Sequence, residues 1–423
     1  MTDRLRIVVT GLIAQHPRLG GVTWDYLQYP LGLADLGHDV YYLEDSGEWP
    51  YVLDGDARPE SWVAHDPTPN VRHLAEVMER FGLGDRWMYR FPIGDRWYGL
   101  SDRRRAEVLA SADLLINVSG TLEHPGRYRG LPRLVYVDSD PVFTQAKLLD
   151  DGKSDFSRRV DAHDVFLSFG ERINDGAFAT RHAWKPTRQP IVLSQWRRVR
   201  PTRDALTTVM SWTSYKPMTV RGVQLGQKDA SFRPFLGLPA RSPLPLEIAL
   251  GAVHHESWAT AADELRGDIG ETVRADLSVT PEALLRKAGW AVVDAFAQCG
   301  TLDTYRSYIE SSLGEWSVAK SGYVVGASGW FSCRSACYLA SGRPVVVQDT
   351  GFGGTIPVGS GILTFTTTGD AVAAIAEVAG GYDKHARAAH ELAVEFFDSR
   401  KVLPRLLDDA LETRESAGGE AGR

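Results

Sequence analysis

The run Ser328-Gly-Trp-Phe-Ser-Cys-Arg-Ser-Ala-Cys-Tyr-Leu-Ala-Ser-Gly-Arg-Pro-Val-Val-Val-Gln-Asp-Thr-Gly-Phe352 most constrains what this chain can become. It reads as a loop, a small-residue helix from Ser332 to Ala340, a Gly-x-Pro turn, a buried strand from Val345 to Val347 and a polar loop. That order builds a crevice at the carboxyl end of a strand. The amides of the first helical turn point at an anion there, while Gln348, Asp349, Thr350 and Gly351 offer partners for hydroxyl groups beside it. A phosphate next to a sugar suits such a crevice.

Length then sets the scale. The 423 residues exceed one ordinary hydrophobic core, so two domains are expected. A 43% hydrophobic content argues for folded structure, and a net charge of -7 provides no basic field for nucleic acid or an anionic membrane. Neither is expected as a partner. The sequence holds no run of about 18 apolar residues, and Met1 leads within a few residues into strand-like Ile7-Val8-Val9 without a signal-peptide core. A cytoplasmic protein without an integral membrane segment is expected. Cys299, Cys333 and Cys337 show no zinc or Cys-x-x-Cys spacing and read as small packing residues.

The opening is β-α-β: strand Leu5 to Thr10, a loop through Gly20-Gly21, a helix from about Thr23 to Leu36, and strand Val40 to Leu43. Thr23 is expected to cap that helix, Pro30 to kink it and Gly37 to end it. A helix Arg103 to Ala112 and strands Leu114 to Val118 and Leu134 to Val137 continue the pattern. A proline-rich, basic stretch from Trp184 to Arg203 precedes a fresh buried strand at Thr207. The boundary is placed there, giving an N-terminal domain over 1–200 and a C-terminal domain over 205–384. The second half is read as strand Leu244 to Leu250, helices Pro281 to Gly289 and Thr301 to Ser312, and strand Gly322 to Gly326, followed by the opening run. Closing helices are expected over 385–411, crossing back to the first domain, and a charged, Gly-rich disordered tail over 412–423.

With these residues in order, the chain resembles glycosyltransferases of the GT-B architecture. Gly342-Arg-Pro-Val-Val-Val-Gln-Asp-Thr-Gly351 is similar to their Gly-x-Pro-Val-Val-x-x-Asp-x-Gly segment, and Gly20-Gly21 with Leu36-Gly-His-Asp-Val40 is similar to their opening. The resemblance implies an α/β fold of two facing Rossmann-like domains, the first receiving an acceptor and the second a nucleotide-sugar donor. It implies a hexosyltransferase-like enzyme that needs no metal or other cofactor, acting on a small molecule such as a natural product. Two departures bear on mechanism. Gly329 and Cys337 stand where many retaining members carry glutamates, and Ala327-Ser-Gly-Trp-Phe-Ser332 keeps the Gly, Trp and Ser of the plant-type inverting box.

Charge accumulates on the leaving diphosphate, so donor groups should be cationic or amide in character. Arg334 in the first helical turn, Lys320, and the Ser328 and Gly329 backbone are candidates, with Trp330 as a stacking surface. Glu315 is a candidate for the donor ribose, Ser214 and Lys216 for the phosphates, and Gln348, Asp349, Thr350 and Gly351 for sugar hydroxyls. On the acceptor side His16 is the leading catalytic base, with Asp25 and Asp140 as competitors. Gly20, Gly21, Trp24 and Asp138 are candidates for binding the acceptor. Asp138-Ser-Asp140 has the form of the metal motif of the other large glycosyltransferase fold, yet lies in an N-terminal domain that lacks the matching context. No metal is expected there. A nicotinamide enzyme would need the Gly-x-Gly-x-x-Gly turn missing from the first β-α unit. A sugar-nucleotide epimerase of the same fold and a non-catalytic nucleotide-sugar-binding protein remain open readings.

Overall fold

A computed structural model describes residues 4–52, 63–150, 154–214, 216–251 and 280–412. The tail expected over 412–423 lies, from 413 onward, outside them. The first sheet is built from β1 (Arg6–Thr10), β2 (Asp39–Glu44), β3 (Trp87–Phe91), β4 (Arg96–Gly99), β5 (Leu114–Val118), β6 (Leu134–Asp138), β7 (Val165–Ser168) and β8 (Trp184–Pro186). Their order is β4-β3-β2-β1-β5-β6-β7-β8, parallel except for β4, which runs antiparallel to β3. Strands β3, β5 and β6 are buried at every residue, so both faces are covered and an apolar run, rather than alternation, is what the sequence carries there.

The second sheet contains β9 (Leu206–Met210), β12 (Leu246–Leu250), β13 (Ala291–Asp294), β14 (Gly314–Ser317), β15 (Val345–Gln348) and β16 (Ile362–Phe365), all parallel, in the order β13-β12-β9-β14-β15-β16. A small hairpin, β10 (Met218–Val220) with β11 (Val223–Leu225), follows β9. Each sheet reverses its direction of growth once, between β1 and β5 and between β9 and β14. These reversals leave crevices beyond the carboxyl ends of the strands.

The halves are joined by close packing around one helix, Gly20–Asp35, which is buried on most of its surface. Leu19 is its N-cap and Thr23 lies inside its first turn, donating to the Leu19 carbonyl, because the helix begins at Gly20 rather than at the threonine. It runs past Pro30 to Asp35, and Gly37 follows at φ +90°. A Cβ on Gly20 would lie 2.1 Å from the Thr301 carbonyl oxygen, and one on Gly21 would lie 2.8 Å from the Tyr305 ring. The paired glycines therefore let the helix N-terminus meet the second domain. Gly20→Ala should cost about 1–3 kcal/mol through overpacking against backbone, read as a lower urea midpoint.

Among the described residues the chain crosses between the domains at two places. Residues 187–205 lead from β8 to β9, and Ile191 on this segment pairs with the return crossing, accepting from Ser399 N at 2.9 Å and donating to the Phe397 carbonyl at 2.7 Å. After the Tyr382–Phe396 helix, the helix Ser399–Leu411 lies against Gly20–Asp35, where Leu403 would touch a Cβ on Gly32. Among the described residues, no helix is long and apolar enough to cross a membrane.

One element differs from the sequence reading. Residues expected as a strand from Gly322 to Gly326 form the helix Ser321–Gly326, and the neighbouring strand is β14. The two valines suggested β structure, but Gly322 seats this single turn against the Phe143 ring, where a Cβ would come within 2.5 Å.

Candidate functional site

The loops after β1 and β9 and the segment after β14 converge with the Gly20–Asp35 and Cys333–Ala340 helices on a cleft of about 790 Å³. Its walls differ in chemistry. Leu12, Leu19, Val22 and Val118 give the first-domain side apolar surface, interspersed with His16, Asp25, Ser119, Ser139, Asp140 and Gln189. Lys228, Lys320 and Arg334 line the second-domain side.

Arg334 is fixed from beneath. Its Nε donates to Glu315 Oε1 at 2.6 Å and its Nη1 to the Val209 carbonyl at 2.8 Å. Glu315 is fully buried in β14 and lies beneath Arg334 rather than in the cleft, because alternation along β14 turns it toward the helix. Lys228 opens the short helix Lys228–Phe232, and its pKa is held well below the usual lysine range by burial, with Arg334 and Lys320 adding repulsion. Sequence reading missed Lys228, since a lone lysine between loop segments carries no motif; only the fold brings it beside the other cations. Lys320 donates to Asp140 Oδ1 at 3.0 Å across the domain junction, and the Tyr323 hydroxyl also bonds Asp140. Tyr323 stacks on Trp330 with centroids 4.0 Å apart, and Trp330 Nε1 reaches the Ser139 carbonyl at 3.3 Å. Asp140 thus lines the cleft as an ion-pair partner, a poor arrangement for a base.

The Cys333–Ala340 helix begins beside Arg334, and its N-cap, Ser332, makes no side-chain capping bond. The fully buried Ser335 hydroxyl has no hydrogen-bond partner and borders a small adjoining cavity shared with Ser332, Gln348, Thr350 and Trp330. Uncapped amides, a spare hydroxyl and an arginine at one helix start form an anion-binding arrangement.

The two first-domain candidates differ in acidity. Burial pulls His16 down to about 4, and its ring stacks on Tyr51 at 5.0 Å. Burial pushes Asp25 up to about 7, moderated by the Arg334 charge. A carboxylate titrating near neutrality is the better matched proton acceptor.

Several sequence candidates lie away from the cleft. Asp138 is buried and accepts from Thr144, Gln145, Ser168 and the Asp140 amide, so its oxygens are spent on the turn after β6. Trp24 is fully buried with Nε1 on the Leu302 carbonyl, making it part of the domain joint, as is Gly20. Ser328 and Gly329 pack against the 171–172 segment, Arg172 N donating to the Ser328 carbonyl and Gly329 N to the Thr350 carbonyl. Asp349 accepts from the Gly351 amide, and Gly351, at φ +89°, abuts the Ala327 carbonyl, so this loop backs the 327–330 loop instead of facing the main cleft. Gln348 Oε1 is held by the Ala319 amide. Ser214 and Gly21 line the cleft, whereas Lys216 is exposed outside it. Among the described residues, no three His, Cys, Asp or Glu side chains gather in a metal-binding group.

No protein-family model and no curated protein matches the sequence. Solved structures do match. An alpha-glucosyltransferase in complex with UDP-glucose and DNA containing an abasic site superposes with a TM-score of 0.57 at 10% identity, over 97% of this chain and 100% of that one. The fold is GT-B. Anabaena HepE in complex with UDP and glucose superposes with a TM-score of 0.54 at 11% identity, over 96% of this chain and 99% of its own. Sucrose-phosphate synthase from Thermosynechococcus elongatus gives a TM-score of 0.50 at 11% identity, over 96% and 98% of the two chains. The GT-B assignment agrees with two Rossmann-like sheets whose direction reversals face one cleft.

Proposed function

We propose that this GT-B protein transfers a sugar, most simply a hexose, from a nucleoside-diphosphate donor to a hydroxyl of a small, largely apolar acceptor. The observation that carries the reading is that three cations, Lys228, Lys320 and Arg334, line one side of the same cleft that holds Asp25 on the other. The diphosphate lies against the three cations and the start of the Cys333–Ala340 helix, which neutralise charge as the anomeric carbon-oxygen bond breaks and its electron pair leaves with phosphate. Side chains meet that charge, and no metal is required. Asp25 takes the proton from the acceptor hydroxyl as its oxygen bonds the anomeric carbon. A cleft of about 790 Å³ is of the size that encloses small ligands. The basic 197–203 stretch is partly spent internally, Arg197 on Glu310 and Arg203 on Glu247, which supports a small acceptor over nucleic acid. The proposed setting is cytoplasmic.

A thermal-shift comparison of UDP, dTDP, GDP and ADP tests the donor site. One of them should raise the unfolding midpoint, since ligand at about 100 times its Kd adds roughly 2.7 kcal/mol to the native state; no shift with any of them refutes the site. Incubation of radiolabelled donor with and without acceptor then separates transfer from epimerisation, which needs no acceptor.

A further inference from the structure

The loop after β1 supplies Leu12, His16 and Leu19 to the first-domain wall of the cleft, and its shape is imposed by two side chains of β2. Tyr42 and Glu44 are two residues apart and so project from the same face of the strand. Three consecutive loop amides end on them. Ile13 N donates to the Tyr42 hydroxyl at 3.0 Å, Ala14 N to Glu44 Oε2 at 2.8 Å, and Gln15 N to Glu44 Oε1 at 2.7 Å. The Tyr42 hydroxyl in turn donates to Glu44 Oε2 at 2.9 Å. Both side chains are fully buried, and Gly11 makes room for the Tyr42 ring, since a Cβ there would fall 2.6 Å from the hydroxyl. Asn70 Nδ2 closes the far side of the loop on the Ala14 carbonyl at 2.8 Å.

We propose that Glu44, with Tyr42, is a positioning residue that clamps the 11–19 loop and so sets where His16 and Leu12 meet the acceptor. The acceptor role rests on the function proposed above; the clamp itself does not. A carboxylate satisfies both amides because each of its oxygens accepts. An amide in its place has one accepting oxygen and turns an NH₂ group toward the second N–H. Burying a charged group with no cation beside it is costly, and burial pushes Glu44 up to about 7. The site retains it nonetheless, in a place where an apolar residue would leave two amides without acceptors.

The test compares wild type with Glu44→Gln and with Tyr42→Phe, which removes one acceptor and leaves the carboxylate in place if the first variant folds poorly. NMR titration of His16 reads the loop directly. In wild type the ring stays neutral down to about pH 4, and release of the loop should move it toward the ordinary value near 6.5. An unmoved His16 in folded variants overturns the clamp, whatever the catalytic outcome. Loss of one charge-assisted hydrogen bond corresponds to about a tenfold rise in KM for acceptors such as 2-naphthol or 4-nitrophenyl glucoside, with UDP affinity unchanged. A moved His16 with unchanged acceptor KM overturns the acceptor role. Wild-type protein that binds none of the nucleoside diphosphates overturns the functional reading instead, and the acceptor role with it.

Discussion

Asp25→Asn is expected to lower kcat by about 10²- to 10⁴-fold, the usual contribution of a positioned proton acceptor, while nucleoside diphosphate affinity stays near wild type. Steady-state rates and nucleotide titrations measure the two separately. The pH dependence supplies a second readout. Asp25 is active as the carboxylate and its pKa is about 7, so the wild-type rate should rise with pH to about 7 and level off above it. The residual rate of the variant should lose that limb. Stability runs the other way. Folding raises this pKa from 3.8 to about 7, so between those values the folded state keeps a proton that the unfolded chain releases, and stability is lost as pH rises through the window. The Asp25→Asn protein should therefore resist urea better than wild type at pH 8. A variant that keeps full kcat would remove Asp25 from the chemistry.

Lys228→Met is expected to weaken nucleoside diphosphate binding by about tenfold or more, as the loss of a charged contact implies, and at the same time to raise the unfolding midpoint. The two effects share one cause. Lys228 is half-buried beside Arg334 and Lys320, so its charged form is disfavoured until an anion arrives. Its depressed pKa also means that the unfolded chain binds more protons above the folded value, so its penalty shrinks as pH rises toward the ordinary lysine range. Nucleotide binding should be accompanied by proton uptake, detectable as buffer-dependent heat in calorimetry. A variant that loses stability and retains affinity would mean that Lys228 serves packing instead.

Much of the fold was legible because parallel strands buried on both faces leave dense apolar runs, as at Leu114–Val118 and Val345–Gln348, and because Gly37 and Gly342 occupy positive-φ positions at the ends of helices. The segment 321–326 was harder to read, since one helical turn has too few residues to display a period. At the site, Arg334 and Asp25 stand out as charges on segments flanking crevices. Lys228 does not, because its partners are 92 and 106 residues away. The misplacement of Trp24, Asp138 and Glu315 has a common origin. Each is a polar or amphipathic group on a ligand-facing segment, and sequence does not reveal that its hydrogen bonds are consumed by Leu302, by the 144–168 region and by Arg334.

The Ser399–Leu411 helix also bears on how the protein is made. Leu403, Leu406, Leu407 and Ala410 are buried, and Leu403 and Ser399 occupy the notch left by Gly32 on the first helix of the chain. During vectorial synthesis the first domain leaves the ribosome with that notch uncovered, and it stays so until residues 399–411 have been made. The nascent first half is then an incomplete body with an apolar seat on its surface, the kind of species that chaperones hold. Its partner helix arrives only after the whole second sheet has been translated.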